Sequence, residues 1–382
     1  MIGFRIPTHV AIDSGCRRRL PEVVRALRAE RVLFVSDPGL SATPWPDECR
    51  RGLAQLGIEC VTFDDVPANP RTVTAEAARD LALEARVDVV VALGGGSALD
   101  AGKAAAMLAT NAGDARDFAG RERYSRAPLP FVAVPTTCGT GSEVTWVSVL
   151  SDERTRAKIS LKGESMFPTQ ALVDADLIAT LPANLVAWTG LDAFTHALEA
   201  TTCSVANSVS DALAEKALAL LFAFLPRAVD DTAGDREARE AVMRASTLAG
   251  LAFGNADVAA VHCLSETLGG RYDVHHGLAN AMLLAPVFRS HGSAVEARLA
   301  ELATVADPEV DLRAPVAERA DRFQERLEEL VRRLDVPAFA SLGIPEDDFA
   351  AIAEAAVENG SNASNPRVMS RPEYLAILRA LG

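Results

Sequence analysis

A chain of 382 residues is long enough for two or three domains, each with a core of its own. Apolar residues make up 49% and charged residues 24%, an ordinary globular composition, and a net charge of −14 argues against binding a nucleic-acid backbone. The segment MIGFRIPTHV lacks a basic stretch leading into an apolar core, and the longest apolar run, Ala217 to Leu225, is too short to span a bilayer, so neither a secretory signal nor a membrane anchor is expected.

In chain order, Pro21–Glu30 has a helical pattern and Arg31–Ser36 (RVLFVS) a strand pattern. Val61–Phe63 is the next strand candidate, followed by a helix over Val73–Glu84 and a strand over Val87–Leu93. Ala98–Met107 reads as a helix, Phe131–Val134 as a strand and Ala171–Val173 as a final strand. Such alternation implies βαβ units and a mostly parallel sheet. After Leu181-Pro182 helical periodicity takes over, as in Leu191–Ala200, Ser210–Phe224 and Val316–Leu334, and no convincing strand follows. The charge run of Val316–Leu334 reads as a solvated helix face. The expected domains are therefore an α/β domain over 1–181 and an all-helical domain over 182–382, with ligands at the carboxyl ends of the strands.

Two strand ends carry ligand-type loops. Val87–Leu93 enters Gly94-Gly95-Gly96-Ser97, where glycines allow close backbone approach and the next helix offers free N–H groups to a pyrophosphate. This is not the GxGxxG fingerprint, and a tight turn alone would explain it. Phe131–Val134 enters Pro135-Thr136-Thr137-Cys138-Gly139-Thr140-Gly141-Ser142-Glu143, either a polar ligand wall or a Ser/Thr loop with a capping role. Asp37 ends RVLFVS. It could accept ribose hydroxyls and repel a 2′-phosphate, or simply serve the Asp37-Pro38-Gly39 turn.

The chain has six histidines and six cysteines without a CxxC pair; isolated thiols suit a reducing, cytoplasmic compartment. Only Lys103, Lys158, Lys162 and Lys216 are lysines among 38 basic residues. Asp192 and His196 are four apart in a helical pattern and share a face, His262 lies in the apolar run Val258–Leu264, and His276-Gly277 follows the break at Gly269-Gly270. One carboxylate and three imidazoles would suit Fe²⁺ or Zn²⁺, but spacing alone does not make them converge.

The segments GGGSALDAGKAAA, PTTCGTGSEVT, TGLDAFTHALEA and VHCLSETLGGRYDVHHGLANAMLLAPV, with the tail SNPR, resemble the iron-containing (group III) alcohol dehydrogenases over essentially the whole chain. The resemblance implies a Rossmann-like α/β N-terminal domain and an all-α C-terminal domain, an architecture shared with dehydroquinate synthase, with the site in the cleft. It implies NAD and a metal, Fe²⁺ with Zn²⁺ as the alternative, held by Asp192, His196, His262 and His276. Gly94, Gly95, Gly96 and Ser97 correspond to the pyrophosphate loop, and Asp37 to the adenosine-ribose position. Thr136, Thr137 and Thr140 correspond to residues near adenine and nicotinamide ribose, Lys158 to a lysine at the nicotinamide ribose, and Asn69, Asp100, Ser142 and Leu181 to further cofactor contacts. Trp146, Val147, Phe253 and Ser361 fall where a substrate pocket is expected.

Relatives commonly carry a histidine four residues after the third ligand; here it is Glu266, expected with Lys158 to act in catalysis, or else to orient a ligand histidine. The residue before the fourth ligand, often proline, is His275. The implied activity is hydride transfer between NAD(H) and a small primary alcohol or aldehyde, by a cytoplasmic homodimer or higher homo-oligomer with no nucleic-acid or membrane partner. A metal-free reductase like maleylacetate reductase is disfavoured by the intact Asp192/His196/His262/His276 set. A dehydroquinate-synthase-like lyase needs cationic substrate contacts, yet Lys216 is the only lysine or arginine between Gly163 and Pro226.

Overall fold

Near-continuous runs of Val, Leu and Ala form strands that can be buried on both faces. In a computed structural model of the chain, which describes residues 3–382, these runs build a parallel sheet; Met1 and Ile2, the start of the segment read as lacking a signal, lie outside the described residues. The chain divides into two compact units, Ile6–Leu181 and Pro182–Gly382, the latter with the N-terminal residues up to Arg5.

The first unit contains strands β1 His9–Ile12, β2 Arg31–Val35, β3 Glu59–Phe63, β4 Val89–Gly94, β5 Gly120–Arg121, β6 Phe131–Pro135, β7 Val147–Asp152, β8 Ala157–Lys162 and β9 Gln170–Val173. Its helices are α1 Leu20–Ala26, α2 Trp45–Gln55, α3 Thr72–Ala85 and α4 Gly96–Leu108. Six strands lie in the order β1-β9-β6-β4-β2-β3, all parallel. Alternate residues feed opposite cores. Val32 and Phe34 pack with Leu20, Val24 and Leu53 of α1 and α2, whereas Leu33 and Val35 pack with Ala78, Leu99 and Ala105 of α3 and α4. Burying each large aliphatic side chain contributes about 1.5–3 kcal/mol. The strand order reverses at β2, which has β3 on one side and β4 on the other, so the carboxyl ends of β2 and β4 flank a topological switch point.

A second sheet, β5-β8-β7, built on the antiparallel β7–β8 hairpin, was not expected. The helix expected over Pro21–Glu30 is only Leu20–Ala26, since Arg28 turns out of it with φ 59°.

The second unit is all-helical: α5 Ala183–Thr202, α6 Ser208–Asp230, α7 Arg236–Phe253, α8 Ala260–Tyr272, α9 His276–His291, α10 Ser293–Ala306, α11 Val316–Arg333, α12 Phe349–Glu358 and α13 Arg371–Leu381. Residues 189–201 of α5 are buried on every side, which makes it the central helix, packed by α6, α7 and α9. By contrast α11 buries only a stripe including Ala320, Phe323, Leu327 and Leu330; its charged side chains are exposed or half-buried, Arg322 pairing with Asp307 and Glu328 with Arg289. Among the described residues no helix is long and apolar enough to cross a membrane.

Candidate functional site

In the α/β unit the glycine turn joins β4 to α4, with Gly95 as the cap of the helix. A Cβ on Gly95 would stand 3.1 Å from Thr137 Cγ2, and one on Gly96 would stand 2.7 Å from Thr140 Oγ1. The two sequence-predicted loops therefore lie in direct contact, joined also by the Thr136 N–H donating to the Gly94 carbonyl at 2.9 Å. Asp37 follows β2, its carboxylate accepting from the Gly39 N–H at 3.0 Å. Burial raises its pKa and the N–H groups of Gly39 and Leu40 oppose that. The turn role of Asp37 is thus present, and the other carboxylate oxygen points toward Gly94.

Lys158 on β8 donates to Asn69 Oδ1 at 2.9 Å, so these two expected cofactor residues form a pair. Ser97 Oγ donates to the Ala68 carbonyl. Asp100 and Ser142 are committed internally. Ser142 Oγ donates to Asp100 Oδ1 at 2.6 Å, and the other Asp100 oxygen accepts from the Val149 N–H at 2.9 Å. Lys103 Nζ joins them, donating to the Ser142, Thr145 and Val147 carbonyls and the Ser142 hydroxyl at 2.7–3.0 Å. This buried knot, absent from the sequence reading, ties α4 to the start of β7. Trp146, beside Val147, lies under the Arg121 guanidinium at 4.8 Å. Leu181 closes the unit with its N–H on the Ile178 carbonyl.

In the helical unit the four candidate ligands converge. One ligand-type atom from each of Asp192, His196, His262 and His276 lies within 4.8 Å of all the others. Asp192 Oδ1 is 3.9 Å from His196 Nε2, 4.0 Å from His262 Nε2 and 3.6 Å from His276 Nε2. Ligands bound tetrahedrally at about 2.1 Å stand about 3.4 Å apart, so small adjustments suffice for a common ion. α5 supplies the first two from one face, α8 the third and the first residue of α9 the fourth. Gly277 permits the last approach, because a Cβ there would lie 2.8 Å from the Trp188 carbonyl on α5. The His276 side chain keeps 35% of its exposure, so the cluster opens to solvent on that side.

Neighbours brace the cluster. Asn280, one turn after His276, donates to Asp192 Oδ1 at 2.7 Å, with its Nδ2 also 3.2 Å from Nε2 of His262 and of His276. Glu199, 1% exposed, meets His262 Nδ1 at 2.6 Å. Burial, the largest influence on His262, pulls its pKa down, but the Glu199 carboxylate leaves it raised overall. Glu199 was missed in the sequence, although it follows Asp192 and His196 at the spacing i, i+4, i+7 of one helix face.

The expected pocket residues Phe253 and Ser361 lie in this unit. Phe253 stacks on His196, with centroids 4.2 Å apart. Glu266, one turn beyond His262 on α8, accepts from Asn359 Nδ2 at 2.6 Å, and Asn359 Oδ1 accepts from the Ser361 N–H at 2.9 Å. The structure therefore links Glu266 to the turn bearing Ser361, while the carboxylate bonded to a candidate ligand is that of Glu199. His275 caps α9, its Nδ1 accepting from the Leu278 N–H at 3.4 Å; burial pulls its pKa down.

The profile described as iron-containing alcohol dehydrogenase matches residues 7–175, and that of the Fe-containing alcohol dehydrogenase family C-terminal region matches residues 186–382. The chain is 36% identical to 1,3-propanediol dehydrogenase of Citrobacter freundii, covering 99% of this chain and 98% of that one. It is 32% identical to NAD-dependent methanol dehydrogenase of Bacillus methanolicus, covering 99% of each. A crystal structure of 1,3-propanediol oxidoreductase superposes over 100% of both chains with a TM-score of 0.96 at 34% identity. Alcohol dehydrogenase from Oenococcus oeni does so with a TM-score of 0.96 at 28% identity. With both halves matched, the chain belongs to the iron-containing alcohol dehydrogenase family.

Proposed function

We propose that this enzyme transfers a hydride between NAD(H) and a small primary alcohol or aldehyde, with one divalent cation held by Asp192, His196, His262 and His276. The observation that carries the metal part is the approach of those four ligand-type atoms to within 4.8 Å of one another. One carboxylate and three imidazoles suit Fe²⁺ or Zn²⁺, and the match to iron-containing alcohol dehydrogenases favours Fe²⁺. When bound, the cation supplies Lewis acidity toward an alcohol or carbonyl oxygen, and the nicotinamide supplies the hydride acceptor or donor. Short-alcohol substrates are supported by similarity to enzymes named methanol and 1,3-propanediol dehydrogenases.

The chain's own groups bind and orient. The Gly94–Ser97 turn and the start of α4 present backbone N–H groups to a pyrophosphate. Asp37 would accept the ribose hydroxyls of NAD and repel the 2′-phosphate of NADP. Thr136, Thr137 and Thr140 wall the same loop, and Lys158, steadied by Asn69, would hold the nicotinamide ribose. Phe253, stacked on His196, and Ser361 would bound the substrate within the helical unit. Glu266 would place a carboxylate beside it, to pass the alcohol proton or to meet a polar or cationic group. Five of the six free cysteines are buried, in keeping with a reducing cytoplasm, and a homo-oligomer completes the reading.

The test is metal analysis of anaerobically purified enzyme, then an alcohol and aldehyde screen read by NADH absorbance. One equivalent of iron or zinc and NAD-linked turnover are expected. Turnover that persists without any metal would end the metal reading.

A further inference from the structure

Glu199 lies on α5, three residues after His196 and seven after Asp192, yet its carboxylate is directed at α8. Its Oε2 accepts the Ala259 N–H at 2.8 Å and meets His262 Nδ1 at 2.6 Å, while Oε1 accepts the Val261 N–H at 2.7 Å. A carboxylate offers only acceptors, so the proton in the short contact sits on Nδ1. The far side of the ring agrees. Asn280 Nδ2, a donor held by Asp192, lies 3.2 Å from both His262 Nε2 and His276 Nε2, so its second N–H is placed to meet a bare lone pair on His262.

We infer that Glu199 is a positioning residue that locks His262 as the Nδ1–H tautomer and so keeps Nε2 bare for the cation. This rests on the metal reading proposed above and specifies how the third ligand is made ready. One helix thus contributes two ligands and the clamp on the third, because the two N–H bonds also anchor the first turn of α8 to α5. A histidine that ligates through Nε2 needs its other nitrogen held as a donor, and loss of such a partner weakens metal binding about 10- to 100-fold.

A purely capping role for Glu199 would leave the tautomer alone, which makes the two separable. Glu199→Gln keeps shape and can still accept a backbone N–H. Its amide, turned toward His262, is a donor, which drives the ring proton onto Nε2 and blocks the ligand position. The experiment measures Zn²⁺ affinity by chelator competition, with circular dichroism and melting as controls for folding. In parallel, NMR of metal-free protein carrying isotope-labelled histidine reads the His262 tautomer, assigned with a His262→Gln variant. Expected are a Zn²⁺ affinity lowered about 10- to 100-fold in folded Glu199→Gln, partial recovery in Glu199→Asp, and a change from Nδ1–H to Nε2–H. A folded Glu199→Gln that binds Zn²⁺ like wild type and keeps Nδ1–H overturns the inference. If Glu199→Gln does not fold, the wild type decides: Nδ1–H is expected and Nε2–H overturns the proposal. Wild-type protein that takes up neither Zn²⁺ nor Fe²⁺ would instead sink the metal reading, a result distinct from either outcome in the variant.

Discussion

The Asp37 carboxylate lies against Gly94: a Cβ placed on that glycine would stand 2.8 Å from Asp37 Oδ2. The two residues end neighbouring strands, β2 and β4, at the point where the strand order reverses. That is the place where an open parallel sheet leaves a crevice for a dinucleotide. Asp37→Gly should therefore relax the preference for NAD. Losing hydrogen bonds to a charged acceptor and the repulsion of a 2′-phosphate predicts a rise of about 10- to 100-fold in the kcat/KM ratio of NADP to NAD. Equal use of both cofactors by the wild type would remove Asp37 from this role.

His276 is the candidate ligand whose removal should disturb the fold least, because its side chain is 35% exposed and begins α9. His276→Ala should lose bound metal and about 10³-fold or more in kcat/KM, in keeping with the several kcal/mol a metal contributes to a transition state. NAD binding, followed by titration, should survive, since the glycine turn belongs to the other unit. Full metal occupancy in the variant would remove His276 from the ligand set.

Lys103 is 1% exposed and its ammonium serves four acceptors in the α4–β7 knot. Burial pulls its pKa down to about 8, against the pull of Asp100 and Glu143. Lys103→Met fills the space but strands three carbonyls and the Asp100 charge, so a loss of about 3 kcal/mol or more is expected. Differential scanning calorimetry checks this; an unchanged melting temperature would show that the knot is not structural.

The strands β4 and β6 and the turns after them were legible because their apolar runs and glycines are local signals. The β7–β8 hairpin was not recognised: KISLK alternates with period two, but in VSVLS the adjacent Val149 and Leu150 break the alternation. Its turn, Glu153 to Arg156, contains no glycine, and Arg156 takes φ 54° itself. Helix spacing put only Asp192 and His196 on one face, the resemblance supplied His262 and His276, and the bracing of the set was not legible. Glu199 reads as an ordinary helix residue until α8, 60 residues later, brings its N–H groups to it. The Lys103 knot was hidden for the same reason. Its acceptors are backbone carbonyls about 40 residues away, which no side-chain pattern announces.

His291 closes α9, 3% exposed, with its Nδ1 lacking a hydrogen-bond partner among the described residues. Burial pushes its pKa from 6.5 down to about 4. Above about pH 6.5 the ring is neutral in both folded and unfolded chains, and nothing is lost. As pH falls from 6.5 toward 4 only the unfolded chain gains the proton, and folding stability drops by about 3 kcal/mol. Below the folded value the difference is constant. His291→Phe should abolish this part of the acid sensitivity, measured as melting temperature against pH. Parallel curves for variant and wild type between pH 4 and 6.5 would dismiss it.

Glu266 stands where relatives commonly carry a histidine, and its neighbours define what it can do. It is half-buried, one helical turn from His262, and its sole hydrogen-bonding partner among the described residues is the amide of Asn359, which in turn holds the Ser361 N–H. No arginine or lysine pairs with it among the described residues, so its charge remains available to a substrate. Glu266→Gln preserves an acceptor for Asn359 and removes the charge. If the carboxylate meets a cationic or hydrogen-bond-donating group, kcat/KM for an amino alcohol should fall about tenfold or more, mostly through KM, while a simple alkanol is little affected. If it passes the alcohol proton, kcat should fall for both alcohols and the pH profile should shift. Metal content should stay at the wild-type level in either case, because Glu199, not Glu266, bonds His262. Loss of metal in Glu266→Gln would contradict this division of labour, and wild-type kinetics with both alcohols would exclude Glu266 from the site.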